Sequence, residues 1–168
     1  MKLKVAQVLG LNTDQTAAQV ISQIRDEENA FFALLLLSSD DAFTKGRLAL
    51  SELADFYFDL EGTPSEKLTA TYEEATKKFE LLEFDLITAA ISGKILYFKG
   101  LGDVEVYLKR ENKLSSLFNI NSTAQLVSGF LEEGDRVFFA TKNLTDFLGE
   151  NLANQLSMSL ETFEEEVA

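Results

Sequence analysis

Residues 30–39 read Ala-Phe-Phe-Ala-Leu-Leu-Leu-Leu-Ser-Ser, an apolar run with no charge in it. A half-buried strand alternates polar and apolar side chains. An unbroken run puts apolar groups on both faces, as expected of a strand buried on both sides. The rest of the chain must therefore cover two faces of one sheet. The flanking sequence offers short strand-like runs before it, "KVAQVLGL" and "QVISQI", and the polar turn "RDEEN".

After the run, Asp40 and Asp41 stand where a helix N-cap would, and either could cap the helix expected over about residues 42–60. Leu50, Leu53/Ala54, Tyr57 and Leu60 recur there at helical spacing, and Gly62 ends the pattern. A second helix, over about 64–82, has a well-marked start. Thr63 sits at the N-cap, Pro64 at the first helical position and Glu66 three residues after the cap. That is a capping box, with proline where its missing N–H costs nothing. Leu68, Tyr72, Ala75, Phe79 and Leu82 form its apolar stripe.

The period then changes. "FDLITAAI", "KILYFKGL" and "VEVYLKR" are three strand-like runs separated by Ser92-Gly93 and Gly102-Asp103, both good hairpin dipeptides. In the third, Val104, Val106 and Leu108 alternate with Glu105, Tyr107 and Lys109, the pattern of a half-buried antiparallel strand. "AQLVSGFL", the turn "EEGD" and "RVFFAT" follow as further strands. Two short helices close the chain, from about Leu144 and about Ser159; in the latter Leu160, Phe163 and Val167 share a face. The expected fold is one α+β domain spanning 1–168, an antiparallel sheet faced by the helices near 42–60 and 64–82. Leu34, Leu36, Leu50, Tyr57, Phe79, Leu86, Tyr97, Val106 and Phe138 are the expected core contributors; Phe138 and Phe139 point to opposite faces of their strand.

Composition narrows the chemistry. The 168 residues contain no cysteine and no histidine. This removes disulfides, thiol nucleophiles, Cys/His zinc sites and Ser-His-Asp triads. Catalysis would have to use carboxylates, Lys, Tyr, Ser/Thr or a metal held by oxygen. The net charge of −13 repels phosphates, so nucleic acid and anionic lipid are not expected partners. Residues 131–168 hold nine acids against two bases, Arg136 and Lys142. That face reads as a solvated acidic surface or as a docking face for a basic partner. The chain has no run of about 18 apolar residues and no signal-peptide pattern, so the expected location is the cytoplasm and the Asn-x-Thr triplets at Asn121 and Asn143 are chance matches.

The order of these pieces resembles the PPM-type, or type-2C, metal-dependent protein phosphatases. "FFALLLLSSDDAFTKGRLALSELADFYF" looks like the family's first long strand and helix, and "ITAAISGKILYFKGLGDVEVYLKRENKL" like its central meander, with Gly102-Asp103 at the expected turn. "FLEEGDRVFFATKNLTDFL" looks like the turn, strand and helix opening that follow. The resemblance covers roughly residues 20 to 150. It implies a sandwich of antiparallel β-sheets flanked by two long antiparallel helices. In the family the Asp of an Asp-Gly turn and the Asp of Ser-Asp-Gly hold two divalent ions, and the water between them attacks the phosphate.

The departures fall on those ligands. Aligned without gaps, Ser-Asp-Gly lands on Thr141-Lys142-Asn143. An ammonium in a dication's place repels it; Lys142 is either an exposed turn lysine or a stand-in for the ion's charge. With Gly46 set on the family's second-motif glycine, Ser38-Ser39 falls on Asp-Gly. Asp40 and Asp41, two residues later, are then either a cap and a solvated turn or a surviving metal pair. Gly102-Asp103 is expected as a structural hairpin turn, and Asp14 and Asp26 as loop residues or the family's early acidic position. The late Asp-Asn of the family's last strand has no counterpart; the chain is expected either to be a piece of a longer protein or to be trimmed, leaving an open sheet edge through which a homodimer or partner peptide could pair. The favoured expectation is a catalytically inactive phosphatase-like domain that binds a protein partner or regulates a neighbouring domain, with no cofactor. The alternatives are an active serine/threonine phosphatase using magnesium or manganese in a rebuilt site, and an unrelated α+β adaptor.

Overall fold

The computed structural model describes residues 2–10, 12–13, 15–118 and 125–156. Two antiparallel sheets stack face to face. The larger holds β1 (Thr16–Ile24), β2 (Asn29–Ser38), β3 (Glu83–Ser92), β4 (Ile95–Leu101) and β7 (Val127–Phe130), in the spatial order β1-β2-β3-β4-β7. The smaller has the order β6-β5-β8, formed by β5 (Val104–Arg110), β6 (Lys113–Phe118) and β8 (Arg136–Thr141). Helices α1 (Ala42–Asp59) and α2 (Pro64–Phe79) pack as a pair on the outer face of the large sheet. Helix α3 (Lys142–Leu148), a 3-10 turn (Gly149–Asn151) and α4 (Leu152–Gln155) lie against the outer face of the small one.

Three apolar layers follow from the strand alternation. In β2, Phe31, Ala33, Leu35 and Leu37 face the helices and are fully or almost fully buried, with Phe31 stacked on Tyr57 of α1 at 5.1 Å between centroids. The opposite face, Ala30, Phe32 and Leu34, joins Ile87, Phe98, Val106 and Phe118 between the sheets. The expected core residues Leu34, Leu36 and Tyr97 are thus only half-buried, and Leu35 and Leu37 take the deepest positions. Leu34 faces the smaller sheet, which covers less of its side, Leu36 stands at the open mouth of the sandwich, and Tyr97 is only partly covered by the helix-side layer. Leu50, Tyr57, Phe79, Leu86, Val106 and Phe138 are buried as expected. Phe138 packs beneath α3, and Phe139, on the other face, meets Phe98 edge-on at 6.3 Å.

The start of α2 obeys the sequence. The Thr63 hydroxyl oxygen accepts from the Glu66 N–H and the Glu66 carboxylate accepts from the Thr63 N–H, completing the capping box of α2. Gly46 lets α1 press onto the sheet: a Cβ there would sit 3.1 Å from Gln19 Cγ and 3.4 Å from a Leu35 methyl.

Other expectations are corrected. α2 stops at Phe79, short of Leu82. Residues 4–10 of "KVAQVLGL" form no strand; Ala6 and Val8 pack on the small sheet's outer layer, and Leu3, just before the run, reaches the inter-sheet layer. "AQLVSGFL" shrinks to the four residues of β7, and "KLSSLF", too polar to read as a strand, forms β6. The meander does not stay in one sheet. Ser92 pairs with Ile95 across a true hairpin, but β4 and β5 do not pair with each other: at Gly102-Asp103 the chain leaves the large sheet and enters the small one. The helix expected from Ser159, and with it the open-edge expectation at the chain's end, lies outside the described residues, as does Asp14.

Candidate functional site

Five strand ends converge at one mouth of the sandwich. Ser38, ending β2, pairs with Glu83, opening β3. Leu101, ending β4, pairs with Leu86, and Val104, opening β5, pairs with Thr141, ending β8. Two hydrogen bonds tie these ends together. The Asp103 N–H donates to Asp85 Oδ1 at 3.0 Å, and the Lys142 N–H donates to the Asp103 carbonyl at 2.9 Å. The sandwich mouth thus brings together Ser38, Gly102, Asp103 and Lys142, separated by up to about a hundred residues in sequence. A cleft of about 420 Å³ opens there, lined by Leu36, Ser38, Leu82, Glu83, Phe84, Asp85 and Asp103.

Asp85 is the site residue that the sequence reading missed. It shares a strand face with Ile87, Ala89 and Ile91, which are buried between the sheets. A carboxylate at the head of that inward-facing series was the available signal. Burial pushes its pKa up from the ordinary value; the Asp103 N–H opposes this, and the Asp103 charge adds to it. Gly102 has φ +89°, and a Cβ there would land on the Asp85 carboxylate. Turn and carboxylate are built for each other.

Lys142 is the first residue of α3, and its ammonium does not enter the cleft lining. It turns along its own helix to both carboxylate oxygens of Asp146, at 3.0 and 3.1 Å. That pairing, with weaker help from Glu105 and Asp103, raises its pKa. Asn143 is exposed on the same first turn.

Asp40 and Asp41 are both exposed and neither lines the cleft. Asp41 occupies the N-cap of α1 in a left-handed conformation, φ 55° and ψ 34°, which aspartate tolerates better than most residues. Its carbonyl accepts the Lys45 N–H, but neither carboxylate caps the helix by a side-chain bond, contrary to expectation. Ser39 accepts a bond from Lys45 Nζ at 3.0 Å and donates to the Asp40 carbonyl. Asp26 belongs to the β1–β2 turn: it accepts from the backbone of Glu28 and Asn29 and from the Asn29 side chain, which lower its pKa. Among the described residues no three carboxylates are grouped so as to hold one metal ion. Among them, too, no helix is long and apolar enough to cross a membrane.

No family model matches the chain, and no curated protein matches it in sequence. Its architecture is nevertheless specific: two stacked antiparallel sheets with a long helix pair outside one of them define the fold of the PPM-type serine/threonine phosphatases. Among solved structures, the serine/threonine phosphatase of S. agalactiae superposes with a TM-score of 0.70 at 14% identity, over 97% of this chain and 89% of that one. The catalytic domain of the phosphatase PstP, solved with two manganese ions, gives 0.65 at 13% identity over 91% and 90%. The phosphatase domain of SpoIIE from Bacillus subtilis gives 0.59 at 12% identity over 96% and 80%.

Proposed function

We propose that this chain is a catalytically inactive phosphatase-like domain that acts by engaging a protein partner or regulating a neighbouring domain. The observation that carries the reading is the pair of strand ends where the resemblance calls for metal-holding aspartates. β2 runs into Ser38-Ser39, and β8 runs into Lys142, whose ammonium is paired with Asp146. This donor set does not fit a two-metal centre, which needs several carboxylates converging on a pair of cations. Without a metal to lower the pKa of a water, and without Cys or His, the chain holds no group that makes a strong nucleophile at neutral pH. The test is calorimetric titration with magnesium and manganese beside hydrolysis of a phosphopeptide and para-nitrophenyl phosphate. The expected result is no saturable metal heat and no turnover. Manganese-dependent turnover lost in Asp40→Asn would overturn the reading.

One observation favours the active alternative. Asp85 and Asp103 place two carboxyl-bearing residues on one cleft, at the mouth where the strand ends meet. If that pair belongs to a rebuilt metal site, turnover requires manganese and disappears in Asp85→Asn while Asp40→Asn retains it.

A further inference from the structure

Strand β1 (Thr16–Ile24) is an edge of the large sheet among the described residues. Its odd-numbered residues bond inward to β2, a phase that continues past its end, where the Arg25 N–H donates to the Asn29 carbonyl. The even-numbered residues therefore direct their N–H and C=O groups outward. At the first two of these the chain supplies its own cover. The Thr13 hydroxyl accepts the Thr16 N–H, and the Thr16 carbonyl accepts the Thr13 N–H. Asn12 does the same for Ala18 with its side-chain amide, at 2.8 and 3.2 Å. The cover stops there. Among the described residues nothing bonds the outward main-chain groups of Val20, Ser22 and Ile24; Gln7 reaches the Ser22 hydroxyl, a side-chain atom. Edge strands are commonly guarded by charge, proline or a bulge. β1 has none of these: TAAQVISQI carries no charged residue and no proline, it pairs with β2 in unbroken register, and Ile24 is 45% exposed.

We propose that this open stretch pairs with the same stretch of a second copy of the chain, antiparallel, about a two-fold axis at Ser22. Symmetry and charge select the occupant. The stretch is framed on one side by the Asn12 cover at Ala18 and on the other by the turn that begins at Arg25, so its midpoint is Ser22. An antiparallel copy centred there sets Ser22 against Ser22 of the second copy, and Val20 against its Ile24 on each side of the axis. Each opposed pair exchanges both main-chain bonds, so the outward groups are satisfied, and Val20 and Ile24 pack as β-branched neighbours. Two copies, each with a net charge of −13, repel except where they meet along a neutral strip, which β1 supplies. A basic peptide, by contrast, finds no carboxylate along β1 to hold it. The sandwich mouth stays open in such a dimer, because Ser38 pairs with Thr16 at the opposite end of β1. The inference is therefore independent of whether the domain is active.

The contact is one strand per copy, short of the roughly 1,200 Å² of a standard interface, so the dimer is expected to be weak and populated at about 0.1–1 mM chain. The experiment is sedimentation equilibrium of the whole chain with amide hydrogen exchange, from about 10 μM to about 1 mM. The expected result is a dimer at high concentration in which the Val20, Ser22 and Ile24 amides exchange roughly tenfold more slowly, while those of Ala18, Gln19 and Ile21, already bonded, do not change with concentration. Ser22→Lys and Ser22→Glu each place like charges on the axis, and each is expected to sediment as a monomer; an equal mixture of the two is expected to recover the dimer. A chain that stays monomeric at about 1 mM would leave the edge to a foreign strand and overturn the proposal. So would a dimer that leaves those three amides unprotected, or a mixture that associates no better than either variant alone. The exchange measurement uses the natural chain and decides the matter even if the variants fail to fold.

Discussion

Replacing Gly102 by alanine tests how the two sheets are joined. Gly102 has φ +89°, where an L-residue is strained, and holding a non-glycine residue there costs about 1–3 kcal/mol. The new Cβ would also lie 2.9 Å from Asp85 Cγ, so the carboxylate must move and give up the Asp103 N–H. A hydrogen bond to a charged acceptor contributes about 1.5–3 kcal/mol, and the exposure of this one places it near or below the lower end. The sum predicts a loss of about 2–4 kcal/mol in urea unfolding, seen as a lower midpoint at unchanged slope. A double-mutant cycle separates the parts. In an Asp85→Ala background the collision is largely relieved, so Gly102→Ala should cost about 1 kcal/mol less than in the natural chain. Full additivity, or a single-variant loss below about 1 kcal/mol, would refute the claim that turn and carboxylate form one unit.

Three further outcomes follow from packing and charge. Thr63→Ala removes the N-cap of α2 and is expected to lower stability by about 1 kcal/mol in the same assay. Phe31→Ala, at a fully buried ring stacked on Tyr57, should cost about 3–5 kcal/mol. The third concerns pH. Asp85 has a folded pKa above its ordinary 3.8, so its contribution is full below that value and is lost as pH rises through the folded pKa. Asp85→Asn should therefore gain stability relative to the natural chain as pH rises through the acid range. Asp135 is held low by Arg110, its contribution being present above 3.8 and lost as pH falls through its folded pKa, so the deficit of Asp135→Asn should shrink on acidification. Parallel pH profiles for the natural chain and both variants would contradict this.

The order of strands and helices was legible because local signals agreed with the global fold. The capping box at Thr63, the helical stripes and the alternation of Val104 and Val106 all describe environments that the finished molecule supplies. The misreadings arose where a partner outside the segment decides the outcome. Gly102-Asp103 has hairpin chemistry, but the Asp85 carboxylate and the pairing of Val104 with Thr141 turn it into a crossing between sheets. "KVAQVLGL" has strand composition, yet its described residues pair with no strand, and Ala6 and Val8 pack on the outer layer of the small sheet. In the candidate site, the positions of Ser38 and Lys142 could be anticipated from the frame of the chain. Asp85 carried a signal, a carboxylate heading the inward-facing series of β3, but its bond to the Asp103 N–H and the Lys142–Asp146 pair depend on where the chain crosses between sheets and where the helix starts.

The crossing at Gly102-Asp103 also dictates what happens while the chain is being made. When synthesis has passed Leu101, the helix pair and four adjacent strands of the large sheet are already available, and the layer beneath the helices can form. Its other face, with Ile87, Ala89, Ile91, Leu96 and Phe98, then has no cover, because β5, β6 and β8 are still to come. An uncovered apolar sheet face is a sticky intermediate. Each newly made copy therefore passes through an interval, ended only by the emergence of residues 104–141, in which this apolar face is open to association with other chains.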